Sequence, residues 1–396
     1  MSEINCEDLL KPDGPTALIV RAKLEPIAGL DRFQPAGFPE VGHVIYKAPR
    51  TANATEDVCI VDSPASMANH LEAVCFFGPG DSTLHPDLTG LPHVACVTDK
   101  NYTVGQTALD PKDSHDRLVC TTLTEGHRLA SDYFLDGLLD AKWAEEKKIK
   151  GNSKGKGKEK TVPAHWEGTK FRTQLRREFE IVEVKEDEKY FVYPENWWAI
   201  YKTIFKYDPN SLIHGVLFAK EQIKISRFLT AHLEAFGAAR VGRSGVKFDR
   251  LGKTVSGQPI FAVDEETAKE IRATFILDLA LLRSYGRGEY GLSDSQKLLL
   301  LELAIWKIKR LLDKSFRYRT QCWLKCSSRD VSVDDSAMDC LPEINVAERI
   351  TAQKLPDPVT SVYYPADKLF KVSETKPEEA TEPAEEPEPS EAEPEE

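Results

Sequence analysis

The chain reads as an α+β protein with a basic insertion and an acidic tail. Three observations predict this. Strand-like and helix-like segments follow one another without a repeating βα order. A lysine- and glycine-rich stretch interrupts them near the middle, and residues 373–396 are almost entirely Glu, Pro, Ala, Ser and Thr.

The elements follow in chain order. Ala17 to Leu24 (ALIVRAKL) is β-branched and alternating from Ile19 onward, so it predicts a strand. It runs into Glu25-Pro26-Ile27-Ala28-Gly29, which must turn. Residues 32–50 (RFQPAGFPEVGHVIYKAPR) predict a loop, and Val58 to Val61 a short strand. Ser63 is a helix cap and Pro64 occupies the first helical position, where its missing N–H is harmless. Met67, Leu71 and Val74 then share one face of a helix over 64–76. Pro79 to Pro92 predicts loop. Thr122-Leu-Thr-Glu125 has the spacing of a capping box for a helix through Leu139.

Residues 142–177 carry twelve Lys or Arg against four Glu. Their centre, KKIKGNSKGKGKEK (147–160), predicts a mobile loop, because glycine alternates with lysine. It suits a solvated surface insertion and a nucleic-acid contact equally. Residues 179–193 alternate as a β-hairpin does. Pro194 to Phe205 predicts a short helix, Leu212 to Ala219 a central strand, and Ser226 to Phe236 a helix ended by Gly237. Two long helices should follow, one capped by Asp264 and ended by Gly286, one opened by the capping box Ser293-Asp-Ser-Gln296 and running to about Lys314. Ile271, Phe275 and Leu279 line the first; Leu298, Leu301, Ile305, Ile308 and Leu312 line the second.

The net charge of −12 is a property of the tail. Residues 373–396 hold eleven Glu and one Lys, which leaves 51 basic and 53 acidic residues elsewhere. A polyanion-binding body is therefore allowed, provided its cations cluster. The tail has too little apolar surface to offset the entropy of ordering, so disorder is expected. The first twenty residues carry Glu3, Glu7, Asp8, Lys11 and Asp13 with no apolar stretch, and the longest aliphatic run is Leu298 to Leu301. Neither a secretory signal nor a membrane helix is expected. Eight scattered cysteines fit a reduced cytoplasmic compartment.

Several motifs point nowhere. Gly252-Lys253-Thr254 lacks the earlier glycine of a phosphate-binding loop, since Lys247 stands there. Cys322, Cys326 and Cys340 lack a fourth metal ligand nearby, so no metal or cofactor is expected. Neither G-x-S-x-G nor H-E-x-x-H occurs. Gly242-Arg243-Ser244-Gly245, flanked by Arg240, Lys247 and Arg250, suits close approach to phosphates. With the basic insertion and Arg317-Tyr318-Arg319, it makes a consistent single-strand track of cations punctuated by aromatic or glycine positions.

Six blocks, spread over about residues 17–325, carry a family resemblance. They are Arg32-Phe-Gln34-Pro-Ala-Gly-Phe-Pro39, Asp62 to Glu72, Gly126-His127-Arg128-Leu-Ala-Ser131, Asp208 to Phe218, Gly242 to Arg250, and Arg317-Tyr-Arg319-Thr-Gln-Cys322. Together they resemble the RAMP-superfamily backbone subunit of the type I-G (formerly I-U) CRISPR Cascade complex. The resemblance implies a modified RRM-like (ferredoxin-like) core over 16–330, with the basic insertion at 142–178, a C-terminal extension at 331–372 and the tail at 373–396. It implies a non-catalytic scaffold whose copies assemble along a CRISPR RNA, beside other Cascade subunits, and leave the guide bases free to pair with target DNA.

The resemblance assigns guide-backbone contact to Arg32, Gln34, Ser66, Asn69, His70, Arg128, Arg243, Lys247, Arg250 and Arg319. Lys150, Lys154, Lys156 and Lys158 form a second tier reaching nucleic acid or a neighbouring subunit. The family usually has Arg where His70 stands, and His is mostly neutral at pH 7. The alternative is a metal-independent endoribonuclease of CRISPR repeats, with His127 or His214 as general acid or base.

Overall fold

The computed structural model describes residues 5–38, 42–78, 83–98, 118–144, 147–150, 159–162, 165–186, 189–244, 263–334, 336–355 and 358–364. Its centre is a curled, eight-stranded antiparallel sheet. The strands that matter here are β1 (Ala17–Pro26), β2 (Ile45–Thr51) and β3 (Ala54–Asp62). Helix α1 (Pro64–Ala73) follows directly. Then come α2 (Trp197–Tyr207), α3 (Pro209–His214), β4 (Val216–Phe218), β5 (Ile223–Ile225), β6 (Leu229–Phe236) and β7 (Glu270–Asp278). The long helix α4 (Asp294–Leu312), β8 (Phe316–Arg319) and β9 (Cys322–Val333) complete the set. The strand order is β8-β9-β1-β7-β6-β3-β2, and the eighth strand, Ser336–Met338, pairs with β9 off this path.

One face of this sheet is the core. Leu18, Val20, Ala22 and Leu24 of β1, Ala231, Leu233 and Ala235 of β6, and Ile271, Ala273, Phe275 and Leu277 of β7 alternate inward and are buried. Burying each large side chain contributes about 1.5–3 kcal/mol. Helix α4 is buried along most of its length and packs on α1 and α3. Its capping box forms with both bonds, Ser293 Oγ accepting from Gln296 N–H and Gln296 Oε1 accepting from Ser293 N–H. Ser63 caps α1 as expected, its Oγ accepting from Ser66 N–H at 3.2 Å.

Several expectations give way. Residues 226–236 and 264–286 are not helices. Residues 229–236 form β6, whose burial alternates strictly, and Val263–Thr267 and β7 occupy the second segment before a short helix, Leu279–Arg283. Ile271 and Phe275 do point to one side, because a spacing of four satisfies both a helix and a strand; the buried Ala273 and Leu277 decide for the strand, and Leu279 opens the short helix after it. Central pairing overrides local helix preference in both cases.

The expected central strand over 212–219 is split: 212–214 end helix α3, and Val216–Phe218 is a strand that pairs with β5 outside the main sheet. The helix over 122–139 reduces to two short turns, Arg128–Ala130 and Asp132–Leu135. Thr124 bonds back to Thr121, and the Glu125 carboxylate accepts from His127 N–H instead of closing a capping box. Residues 45–51, expected as loop, are the edge strand β2.

The 179–193 hairpin is present as Ile181–Glu186 with Lys189–Pro194. The described ends of the basic insertion are extended rather than loop, Lys147–Lys150 pairing antiparallel with Glu159–Val162. Beyond residue 331, the helix Val346–Ala352 packs on α4, and Val359–Tyr363 pairs in parallel with His93–Val97. Leu341, Val346, Ile350 and Val362 join the same hydrophobic cluster as the sheet. The acidic tail lies outside the described residues.

Candidate nucleic-acid interface

Two groups of polar side chains flank α1. The first is centred on Asp62, the last residue of β3. Its carboxylate is buried and accepts the N–H of Ser63 at 2.9 Å and the hydroxyl of Ser66 at 3.1 Å. His70 Nε2 lies 2.9 Å and an Arg319 guanidinium nitrogen 2.8 Å from its Oδ2. Ser66 and His70 are four apart on α1 and so share a face. The His70 ring meets Phe316 and Tyr318 edge-on, with centroids 5.4 and 5.2 Å away. Burial alone would raise the Asp62 pKa, but the His70 and Arg319 contacts outweigh it and hold the carboxyl below its ordinary value.

Three sequence-predicted contacts, Ser66, His70 and Arg319, therefore converge on one carboxylate. Gln34 is not among the partners of this carboxylate; its backbone N–H donates to Gln321 O at 2.9 Å. Asn69 is exposed on α1 and makes no hydrogen bond with the described residues. Arg32 lies on a separate short strand and is ion-paired with Glu265 at 3.2 Å. Arg243 lies on the strand Ala239–Ser244, in register with Asp264. Lys150 lies on Lys147–Lys150. Lys247, Arg250, Lys154, Lys156 and Lys158 lie outside the described residues.

The second group surrounds a cleft of about 660 Å³ on the other side of α1. Its walls are the turns from Gly126 to Leu135, the start of β4, and the β4–β5 hairpin through Arg227. Five cationic side chains line it, Arg128, Arg172, Lys220, Lys224 and Arg227, against one lining carboxylate, Asp132. Gly215 stands at the junction with φ of 81°, and a β-carbon there would lie 2.9 Å from Ile225 O and 3.0 Å from Arg227 N. Only glycine lets the two walls approach this closely.

The cations differ in what they are committed to. Arg128 is buried and bidentate to Glu72 of α1, at 2.7 and 2.9 Å, and also donates to the carbonyls of Gly126 and Gly215. Arg172 pairs with Asp132 at 2.8 Å, and the buried Glu221 lies 3.5 Å away. Arg227 donates to Pro64 O at 3.3 Å and has no carboxylate partner among the described residues. Lys220 and Lys224 are exposed and bond to none of the described residues. The cleft is thus net positive, with the charge of its outer wall unneutralised.

A buried network supports the cleft floor. Glu72 accepts from Asn210 Nδ2, whose Oδ1 accepts from the fully buried Lys307. Lys307 Nζ lies 3.0 Å from His214 Nε2, while His214 Nδ1 has no partner among the described residues. Burial, together with Lys307, Arg128 and Arg227, holds the His214 pKa well below its ordinary value, so the ring is neutral. Asp208 next to this network is pushed up to about 7 by burial and by Glu72, against its bond from Ser211 and the nearby Lys307 and Arg128. Both histidines of the nuclease alternative border the cleft, His214 in its floor and His127 exposed at its rim beside Glu125. Among the described residues no three His, Cys, Asp or Glu side chains are grouped to hold a metal ion. No helix of the described residues is long and apolar enough to cross a membrane.

Sequence reasoning found Arg128 but missed Arg172, Lys220, Lys224 and Arg227. The signal was present as Lys220-x3-Lys224-x2-Arg227, directly after the block ending at Phe218. It was obscured because the facing wall, Gly126 to Leu135, lies far away in the sequence and only folding brings the two together.

No curated protein matches the chain. Residues 18–240, more than half of the chain, match the family described as CRISPR-associated protein GSU0053. The match takes in β1, α1, Asp62 and every residue lining the cleft. The chain belongs to this CRISPR-associated family.

Proposed function

We propose that the protein is a non-catalytic CRISPR RNA-binding scaffold of a type I-G Cascade complex, acting in the cytoplasm. Copies line up along the guide beside other Cascade subunits and present it to target DNA. The observation that carries this reading is the cleft, which Lys220, Lys224 and Arg227 line without a carboxylate partner among the described residues. Such a surface suits a sugar-phosphate backbone, whose charge is the same whatever the sequence. A scaffold needs no base readout, because pairing with the target supplies it.

The strand order supports an RRM-like core. Strands β9-β1-β7-β6 lie side by side and antiparallel. Helix α1 comes between β1 and β6 in the chain, and α4 between β7 and β9, which is the order fourth-first-third-second of a βαββαβ unit. The Asp62 cluster then has a positioning role. It ties the start of α1 to Arg319 at the end of β8, so that guide-facing loops keep one geometry.

The alternative reading, a metal-independent endoribonuclease, draws on His127 and His214 at the cleft. One experiment separates the two. The full chain is expressed with a CRISPR array and purified, and its RNA and particle size are measured. Guide-length, uncut RNA in a large particle, released by high salt, is the expected result. Repeat RNA trimmed without metal, and left whole by a His214→Ala chain, would replace the scaffold with the nuclease. A small RNA-free particle would overturn both.

A further inference from the structure

The basic cleft and the acidic tail have a spatial relation that the charge count alone does not reveal. Residue 364 is the last described before the tail. Its position is set by Tyr364 N–H donating to Val97 O at 2.9 Å and by the exchange of backbone bonds between Leu138 and Tyr363 at 2.8 Å. Leu138 is three residues past Leu135, a lining residue of the cleft. Burial, with Asp136, Cys96 and Asp132, raises the Tyr364 pKa against the opposing Lys170, and Asp132 is the carboxylate that pairs with Arg172 in the cleft wall. The chain therefore leaves the described structure beside the cleft.

We propose that the glutamate-rich segment 374–396 occupies this cleft, its carboxylates taking the place of a phosphate backbone on Lys220, Lys224 and Arg227. Three observations carry it. The cleft presents cations without carboxylate partners among the described residues, two of them exposed lysines. The segment holds eleven Glu and one Lys. Glu374 lies ten residues beyond Tyr364, a tether that spans about 33 Å when extended. A tether of this length gives an effective concentration on the order of millimolar, so weak ion pairs suffice for occupancy.

The consequence rests on the RNA-binding reading: segment and RNA exclude one another. A chain without RNA keeps its cleft covered, and only a polyanion of higher charge density displaces the segment. Free nucleic acid of low affinity is thereby refused, while a guide held by several copies is accepted.

The test uses the full chain and a full-length variant with all eleven tail glutamates changed to glutamine. Zero-length carbodiimide cross-linking, read by mass spectrometry, should join tail glutamates of the same molecule to Lys220 and Lys224. Lys11 and Lys47, exposed lysines paired elsewhere with Asp8 and Asp57, serve as controls. A labelled single-stranded RNA should bind the glutamine variant about tenfold more tightly at low salt, with the difference lost near 1 M salt. Cross-links spread evenly over Lys11, Lys47, Lys220 and Lys224 would overturn the proposal, as would equal RNA affinity of the two chains. Specific cross-links in a chain that binds RNA in neither form would sustain the tail contact and remove the RNA reading instead.

Discussion

His70 Nε2 and Asp62 Oδ2 lie 2.9 Å apart, and the same oxygen is 2.8 Å from the Arg319 guanidinium. One carboxylate thus joins the end of β3, the middle of α1 and the end of β8. Replacing it with Ala leaves Arg319 and His70 without their acceptor. Asp62→Ala should cost about 2–4 kcal/mol, below the full cost of breaking a wholly buried pair because both partners keep some solvent. Urea unfolding measures it. Because the folded carboxyl sits below its ordinary 3.8, the contribution is complete above that pH and disappears as pH falls through the folded value. Asp62→Asn should show a shallower acid limb.

Arg128 and Glu72 form a buried bidentate pair, so Arg128 acts first as a strut between the cleft and α1. Arg128→Ala should destabilise by about 3–5 kcal/mol, since it leaves Glu72 buried and uncompensated. The double change Arg128→Met with Glu72→Leu should be less destabilising than the single Arg128→Ala. Chemical denaturation of the parent, of Arg128→Met and Glu72→Leu alone, and of the double change gives the coupling; additive losses would deny the pair its structural role.

Asp208 titrates in the opposite sense from Asp62. Its folded pKa of about 7 lies above the ordinary 3.8, so the folded chain holds a proton that the unfolded chain releases between these values. Its stabilising effect is complete below pH 3.8 and is lost as pH rises through 7, with a span on the order of 4 kcal/mol. Asp208→Asn should flatten that part of the stability profile. Thermal melts from pH 4 to 8 would show it.

Lys220 and Lys224 are exposed, so removing them should leave stability within about 0.5 kcal/mol. Lys220→Ala with Lys224→Ala should weaken single-stranded RNA binding and lower the slope of log affinity against log salt by about 1.4. The titration is best done on chains with the tail neutralised, so that the RNA term is read alone. An unchanged slope would place the RNA elsewhere.

Some of this protein is local. Ser63 before Pro64, and Ser293 three residues before Gln296, mark helix starts because a cap is made within one turn and needs no distant partner. The alternation of β1, the hairpin over 181–194 and the segregation of acidic charge into the tail were equally legible. Distant partners decided the rest. LTAHLEAF (229–236) contains good helix formers, yet it is a strand because β7 and β3 pair with it on both sides. Thr122 to Glu125 has a capping-box spacing but turns back on Thr121 instead.

The cleft is the clearest case. Its cations come from segments separated by about a hundred residues, and which of them are neutralised depends on carboxylates such as Glu72 that only folding brings near. Sequence by itself determined the kinds of charge and the local starts of helices. Tertiary structure alone decided which charges meet and which face an open surface, because burial and pairing are set by long-range packing.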